Sequence, residues 1–456
     1  MGRSGKSLKT WIRNPLATWT GNDFDATNGV VVEGGRISEL VAAGVGPSTP
    51  VDREFDASDL VLLPGLVNCH HHYYQTLTRA LPAALNKELF DWLVALYPVW
   101  AGLEEEAIAL STELALAELM LSGCSTASDH HYLFTNRIEN AIDVQVESVR
   151  RMGARVVLTR GSMSLDAAHG GLPPSSVVQD EDRILADSSR LIDAYHESSE
   201  DAYVQIALAP CSPFSVTPEL MRSCAELARS EGVLLHTHLA EAESENEFCQ
   251  EKFGKRPLDL LDELGWLAND VWLAHGIQFD DDEIKRIGVA GVGVAHCPSS
   301  NMLLASGICR AMELENAGAS VGLGVDGSAS NDSSNMMKEV RQAILLQRVR
   351  YGAAAISHED ALRWGTSGGA QLLHRPQLGT IAPGQLADLA LFALDELRFS
   401  GHGDPIAALV LCGAHQVRHL MIGGEWRVQD GEISGLDVER LRARHQELAT
   451  KLANSV

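Results

Sequence analysis

Between about residues 60 and 370 the chain repeats one pattern, a short apolar run rich in β-branched residues followed by an amphipathic stretch of helical period. No other feature constrains the fold as strongly, because strands that alternate with helices pair in parallel and bury both faces. Eight such runs stand at 61–68, 124–130, 155–161, 203–210, 233–239, 271–275, 292–296 and 320–326. Helical stretches lie between them, among them 104–122, 218–230 and 335–350. Eight strands, each followed by a helix, predict a closed (β/α)8 barrel of the TIM type rather than an open sheet.

The two ends of the chain read differently. Segments 28–35, 386–392 and 421–426 are short strand patterns with glycine turns. They predict a small β-sandwich assembled from residues 1–57 and 371–456, with an amphipathic helix at 436–454, beside a catalytic barrel spanning 58–370. A length of 456 residues suits a barrel with an accessory domain.

Charge and cysteine usage narrow the partners. With 36 Lys plus Arg against 61 Asp plus Glu, the net charge of -25 disfavours nucleic acid and anionic membrane surfaces. No apolar run reaches the ~18 residues of a membrane span. The basic residues 1–9 lead into no apolar h-region, so no secretory signal is expected. The eight cysteines are scattered without CxxC spacing, which argues against a disulfide framework and for a reducing cytoplasm. The expected partner is a small molecule, with self-assembly into a homo-oligomer left open.

Residues suited to metal binding gather at the C-terminal ends of the barrel runs, where barrel enzymes carry their active sites. The first run ends in Cys69-His70-His71-His72. Alternation puts His70 and His72 on one side, about 6–7 Å apart along the strand, and His71 on the other. The fifth ends in His236-Thr237-His238, with Glu241 three residues on. His238 is the expected third nitrogen ligand, and His236, which shares its parity, competes for that place. The eighth run delivers Asp326 ahead of Gly327-Ser328. Three histidines and an aspartate leave a position open for water, the arrangement of a catalytic rather than a structural site. Zinc is the first choice, and ferrous iron tolerates the same ligands. No lysine occurs between Lys87 and Lys252, so the fourth strand offers no bridging lysine for a second metal. One divalent ion is expected.

These residues together resemble the amidohydrolase superfamily over nearly the whole chain. The resemblance rests on Pro64-Gly65-Leu66-Val67-Asn68 with His70 and His72, His238-x-x-Glu241, His275, His296-Cys297-Pro298-Ser299-Ser300-Asn301, Asp326, and the segment 378–389. It is nearest the mononuclear cytosine/guanine-deaminase-like branch. Residues 71–79 and 171–175 are most similar to the deaminases of 8-oxoguanine; hydroxy-s-triazine aminohydrolases and guanine or pterin deaminases are close alternatives. The resemblance implies that His70, His72, His238 and Asp326 hold the metal. It further implies that Glu241 shuttles a proton, Asp326 accepts one, and His275 polarises the reacting centre. Gln75 is a candidate contact for a purine-like ring edge, and Cys211 for the pocket wall. His130 and His131 are expected to be structural, and the glycine-rich segment 169–176 is long enough for a lid. A metal-free scaffold of the same fold would have lost ligands, and none is missing. The zinc deaminases with a PCxxC signature are excluded, since Phe214 stands where the second cysteine after Pro210-Cys211 would be.

Overall fold

Strand pairing in the computed structural model, which describes residues 8–454, closes the eight runs into a parallel barrel. Its strands are β1 (Leu66–Asn68), β2 (Cys124–His131), β3 (Arg155–Ser162), β4 (Val204–Pro210), β5 (Leu235–Leu239), β6 (Val271–His275), β7 (Gly293–His296) and β8 (Ser320–Leu323). Each pairs with its sequence neighbours, and β8 returns to β1 through Leu323 and Asn68. Residues 1–7, which include most of the basic N-terminal segment, lie outside the described residues.

Alternate strand positions divide between two cores. Val271 and Leu273 of β6 pack outward beneath the helices, whereas Trp272 joins Val67, Cys69, Val157, Ala207 and Ala295 in a second cluster. The barrel is therefore a packed core and not a pore.

Two runs depart from their expected extents. The run at 61–68 divides at Gly65. Leu60–Pro64 pairs antiparallel with Leu389–Ala393 in a separate sheet, and Leu66–Asn68 alone enters the barrel. Glycine is required at the crossing, because a Cβ there would meet Ser125 Oγ at 2.3 Å. The last run ends as a strand at Leu323, so Asp326 stands in the loop beyond it.

The chain ends form the expected sandwich. One sheet orders Arg36–Leu40, Gly29–Glu33, Lys9–Arg13 and Arg53–Asp56. The other carries Leu389–Ala393 between Leu60–Pro64 and His419–Ile422. Ile12, Val30 and Val32 of the first sheet meet Leu60, Leu62, Leu389 and Leu391 of the second. Arg155 of β3 ties the barrel to this second sheet: its Nε donates to Asp388 Oδ2 at 3.0 Å, with both side chains buried. A last helix, Val438–Ala453, packs on Glu105–Leu121 and on the turn Tyr73–Thr78, where His445 Nε2 lies 3.0 Å from Thr76 Oγ1. Among the described residues no helix is long and apolar enough to cross a membrane.

Candidate active site

The hydrogen-bond network fixes which nitrogen of each histidine is free. His72 Nδ1 lies 2.6 Å from the His130 carbonyl, and His238 Nδ1 lies 2.7 Å from that of Cys211. A carbonyl only accepts, so each Nδ1 carries the proton and each Nε2 a lone pair. Those two Nε2 atoms face each other at 3.2 Å. His236 Nδ1 donates to the Trp272 carbonyl at 2.8 Å, and its Nε2 faces His70 Nδ1 at 2.8 Å. His70 is thereby left with an Nε2 that has no hydrogen-bond partner and lies 3.4 Å from Asp326 Oδ1. His72 Nε2 is 3.3 Å from the same oxygen.

The structure brings His70 and His72 to Asp326 and to His238, with His275 and His130 within reach of the same rings and His236 beside His70, stacked on Trp272 at 4.3 Å. Burial, reinforced by neighbouring rings, holds the His238 ring well below its ordinary pKa and lowers His72 to about 4, so both are neutral near pH 7. Lone pairs from neutral rings and a carboxylate oxygen converge with no proton to share. A divalent cation is the chemical complement of that donor set. His71 points elsewhere, to Ser334 Oγ at 2.8 Å.

Three residues at the barrel mouth occupy the left-handed backbone region without being glycine: Ala240 (φ 54°), His275 (φ 74°) and Asp326 (φ 62°). Such conformations cost on the order of 1–3 kcal/mol each and persist where surroundings enforce them. Glu245 supplies one enforcement, since its carboxylate accepts from the amides of Ala240 at 3.0 Å and Glu241 at 2.9 Å. The Asp326 amide is held by the His70 carbonyl at 3.0 Å. The turn at His275 reverses the pleat, which would otherwise send this ring outward with Leu273. Its Nε2 instead lies 3.4 Å from Glu241 Oε2, and Asn301 Nδ2 donates to its Nδ1 at 3.1 Å. Burial, with the Asp326 and Glu245 charges nearby, raises the Glu241 pKa well above the usual carboxylate range. Asp326 is pulled well below that range: burial opposes this, but the neighbouring His70, His275 and His72 rings outweigh it.

These groups form one end of a cavity of about 360 Å³. Its roof is α1 (Leu89–Trp100), which contributes Leu89, Trp92, Leu93 and Tyr97, and Phe214 and Leu304 close the sides. Gln75 and Cys211, both expected at the pocket, line it, and so do Tyr132 and Ser330. The α1 residues were not legible as site residues, because Trp92 and Tyr97 sit in an apolar helix that reads as core. Their one signal is aromatic density: four of the 12 residues of this helix, Phe90, Trp92, Tyr97 and Trp100, are aromatic in a chain that is 5% aromatic. His130 takes a supporting place, its Nε2 3.0 Å from the Ala209 carbonyl and its ring stacked on His238. His131 faces the Leu133 carbonyl at 2.7 Å. The segment 169–176 is fastened by Lys252 Nζ to the His169 and Gly170 carbonyls and by Leu172 N to the Phe214 carbonyl at 2.9 Å.

Residues 61–427 match the model of the amidohydrolase family. This chain belongs to that family. The amidohydrolase is 60% identical over 97% of its length to an 8-oxoguanine deaminase of Pseudomonas aeruginosa, covering 99% of that protein. It is 37% identical to a hydroxydechloroatrazine ethylaminohydrolase of Pseudomonas sp. (strain ADP), over 87% of this chain and 84% of the relative. Among solved structures it resembles the atrazine chlorohydrolase TrzN of Arthrobacter aurescens TC1 complexed with zinc, with a TM-score of 0.90, 30% identity, and coverage of 96% of this chain and 100% of that one. The likeness of this amidohydrolase to a zinc-containing relative agrees with the donor set at its barrel mouth, and supports a divalent metal.

Proposed function

We propose that this amidohydrolase hydrolyses 8-oxoguanine to urate and ammonia, using one divalent ion held by His70, His72, His238 and Asp326. The 60% identity over nearly the full length to the Pseudomonas deaminase carries the choice of substrate. Zinc is the proposed ion, and ferrous iron suits the same donors. Bound at that point, the ion acidifies water so that hydroxide is available near neutral pH.

The chain's own groups then divide the proton work. Asp326, kept ionised by its histidine neighbours, accepts the proton that water loses. Ser330 Oγ, 3.3 Å from Asp326 Oδ2, steadies the carboxylate. Glu241, buried and holding its proton, delivers it to the ring nitrogen beside the amino-bearing carbon as the new C–O bond forms. His275 keeps its proton on Nε2, because Asn301 addresses Nδ1, and presents it beside Glu241 toward the reacting centre. Ammonia leaves when the exocyclic C–N bond breaks: the amine takes the proton that Asp326 accepted, the new C–O bond becomes a carbonyl, and its hydroxyl proton returns to Glu241. The Gln75 side-chain amide faces the ring edge, which both donates and accepts. Eight free cysteines support placing this reaction in a reducing cytoplasm.

The test is kcat/KM on a small panel of aminated heterocycles. The value for 8-oxoguanine should exceed that for guanine by at least about 10-fold, the scale of one hydrogen bond. A value higher for guanine, or higher for an alkylamino-triazine than for either purine, would overturn the substrate assignment.

A further inference from the structure

The roof of the cavity holds two polar atoms that sequence patterning treats as core. Trp92 Nε1 is engaged, donating to the Ala329 carbonyl at 3.1 Å. The other, Tyr97 Oη, is buried and has no hydrogen-bond partner among the described residues, although Tyr97 lines the cavity. Buried hydroxyls in folded proteins are almost always paired, so an orphan on a cavity wall calls for a partner that the chain does not supply.

The chemistry of that partner follows from the phenol. Burial, with the Cys211 thiol and Tyr74 nearby, lifts its pKa well above 10. The hydroxyl therefore keeps its proton and has one to give, and its complement is an oxygen or nitrogen acceptor. Position limits which acceptor. Tyr97 comes from α1 and lines the same cavity as Glu241 and Asp326, which come from the strand ends, so one ligand can meet the carboxylates at one edge and the phenol at another. When a 2-aminopurine sets its amino-bearing carbon against those carboxylates, the far end is the five-membered ring. Guanine has a C–H at the tip of that ring, and 8-oxoguanine has a carbonyl oxygen.

We infer that Tyr97 donates a hydrogen bond to the five-membered-ring oxygen of an 8-oxopurine, and so sets the preference for the oxidised ring over guanine. The inference rests on the proposed 8-oxoguanine activity and adds the residue that reads the distinguishing oxygen.

The test is Tyr97→Phe, which removes one oxygen atom and leaves the ring packing in place. Zinc-loaded wild type and variant are compared on 8-oxoguanine and guanine, with metal content measured in both. The kcat/KM for 8-oxoguanine should fall at least about 10-fold while that for guanine moves less than about 2-fold, so that the selectivity ratio collapses. Inhibition by urate, which keeps the oxygen, should weaken by a similar factor, and inhibition by xanthine, which lacks it, should not. An unchanged ratio, whether both activities fall or neither does, overturns the role of Tyr97 and leaves the substrate assignment standing. Wild-type protein inactive on 8-oxoguanine overturns the substrate assignment, and this inference with it.

Discussion

At the scale of single residues, the site is an arrangement of protons and their absence. His72 and His238 each spend the Nδ1 proton on a backbone carbonyl, which leaves two lone pairs 3.2 Å apart. Glu241 sits just outside that cluster, 3.4 Å from His275, and in the proposed reaction it supplies a proton. The variant Glu241→Gln keeps the shape and the metal but cannot exchange a proton. Turnover should fall by at least about 100-fold while elemental analysis shows the same metal content; near-normal turnover would remove Glu241 from the shuttle role. Much of this was readable from residue types and spacing, including the separation of His71 from its neighbours. His238 was the expected ligand over His236, but the carbonyls of Trp272 and Cys211 that orient the two rings come from elsewhere in the barrel and leave no local mark. The direction of His275 was not readable either, since simple alternation sends it outward with Leu273 and only its φ of 74° turns it in.

At the scale of elements, the sequence shows eight runs but not where each one changes partner. Residues 61–68 form one continuous apolar pattern, and both halves are fully buried, so periodicity carries no mark of the break at Gly65. The pairing of Leu60–Pro64 with Leu389–Ala393 is a tertiary fact that local pattern cannot hold. The same junction contains the buried Arg155–Asp388 pair, with side chains 1% and 2% exposed. Arg155 also donates to the Asp201 and Ala202 carbonyls, at 2.5 and 3.0 Å, so it stays in place when its counter-charge is lost. Asp388→Asn should therefore leave a buried, uncompensated guanidinium and lower unfolding free energy by about 3–5 kcal/mol. Urea denaturation followed by tryptophan fluorescence measures this, and a loss below about 1 kcal/mol would show that the pair is not what joins sheet to barrel.

For the whole molecule, the metal centre and the fold are coupled. The proposed ligands come from the loop after β1, from β5 and from the loop after β8, so an ion held there would favour the closed barrel over any opened form. Chelation should abolish activity and lower the thermal midpoint, and about one equivalent of zinc per chain should restore both. An ion at 1,000 times its dissociation constant contributes about 4 kcal/mol. Restoration that requires two equivalents would contradict the one-ion site.

The strand that precedes β1 has a bearing on biosynthesis as well. Leu60–Pro64 waits for Leu389–Ala393, about 330 residues later in the chain. At roughly 5–20 residues per second, a ribosome takes from about a quarter of a minute to a minute to supply that partner. Throughout that interval the nascent polypeptide carries His70 and His72, two proposed metal ligands, just beyond a strand that has its Ala17–Thr18 neighbour but not yet its Leu389–Ala393 one. Asp326 emerges before the clamping strand does, so all the proposed donors leave the ribosome before the sheet beside the barrel can be completed. The proposed metal loading is therefore expected late, after the strand that clamps Leu60–Pro64 has been made.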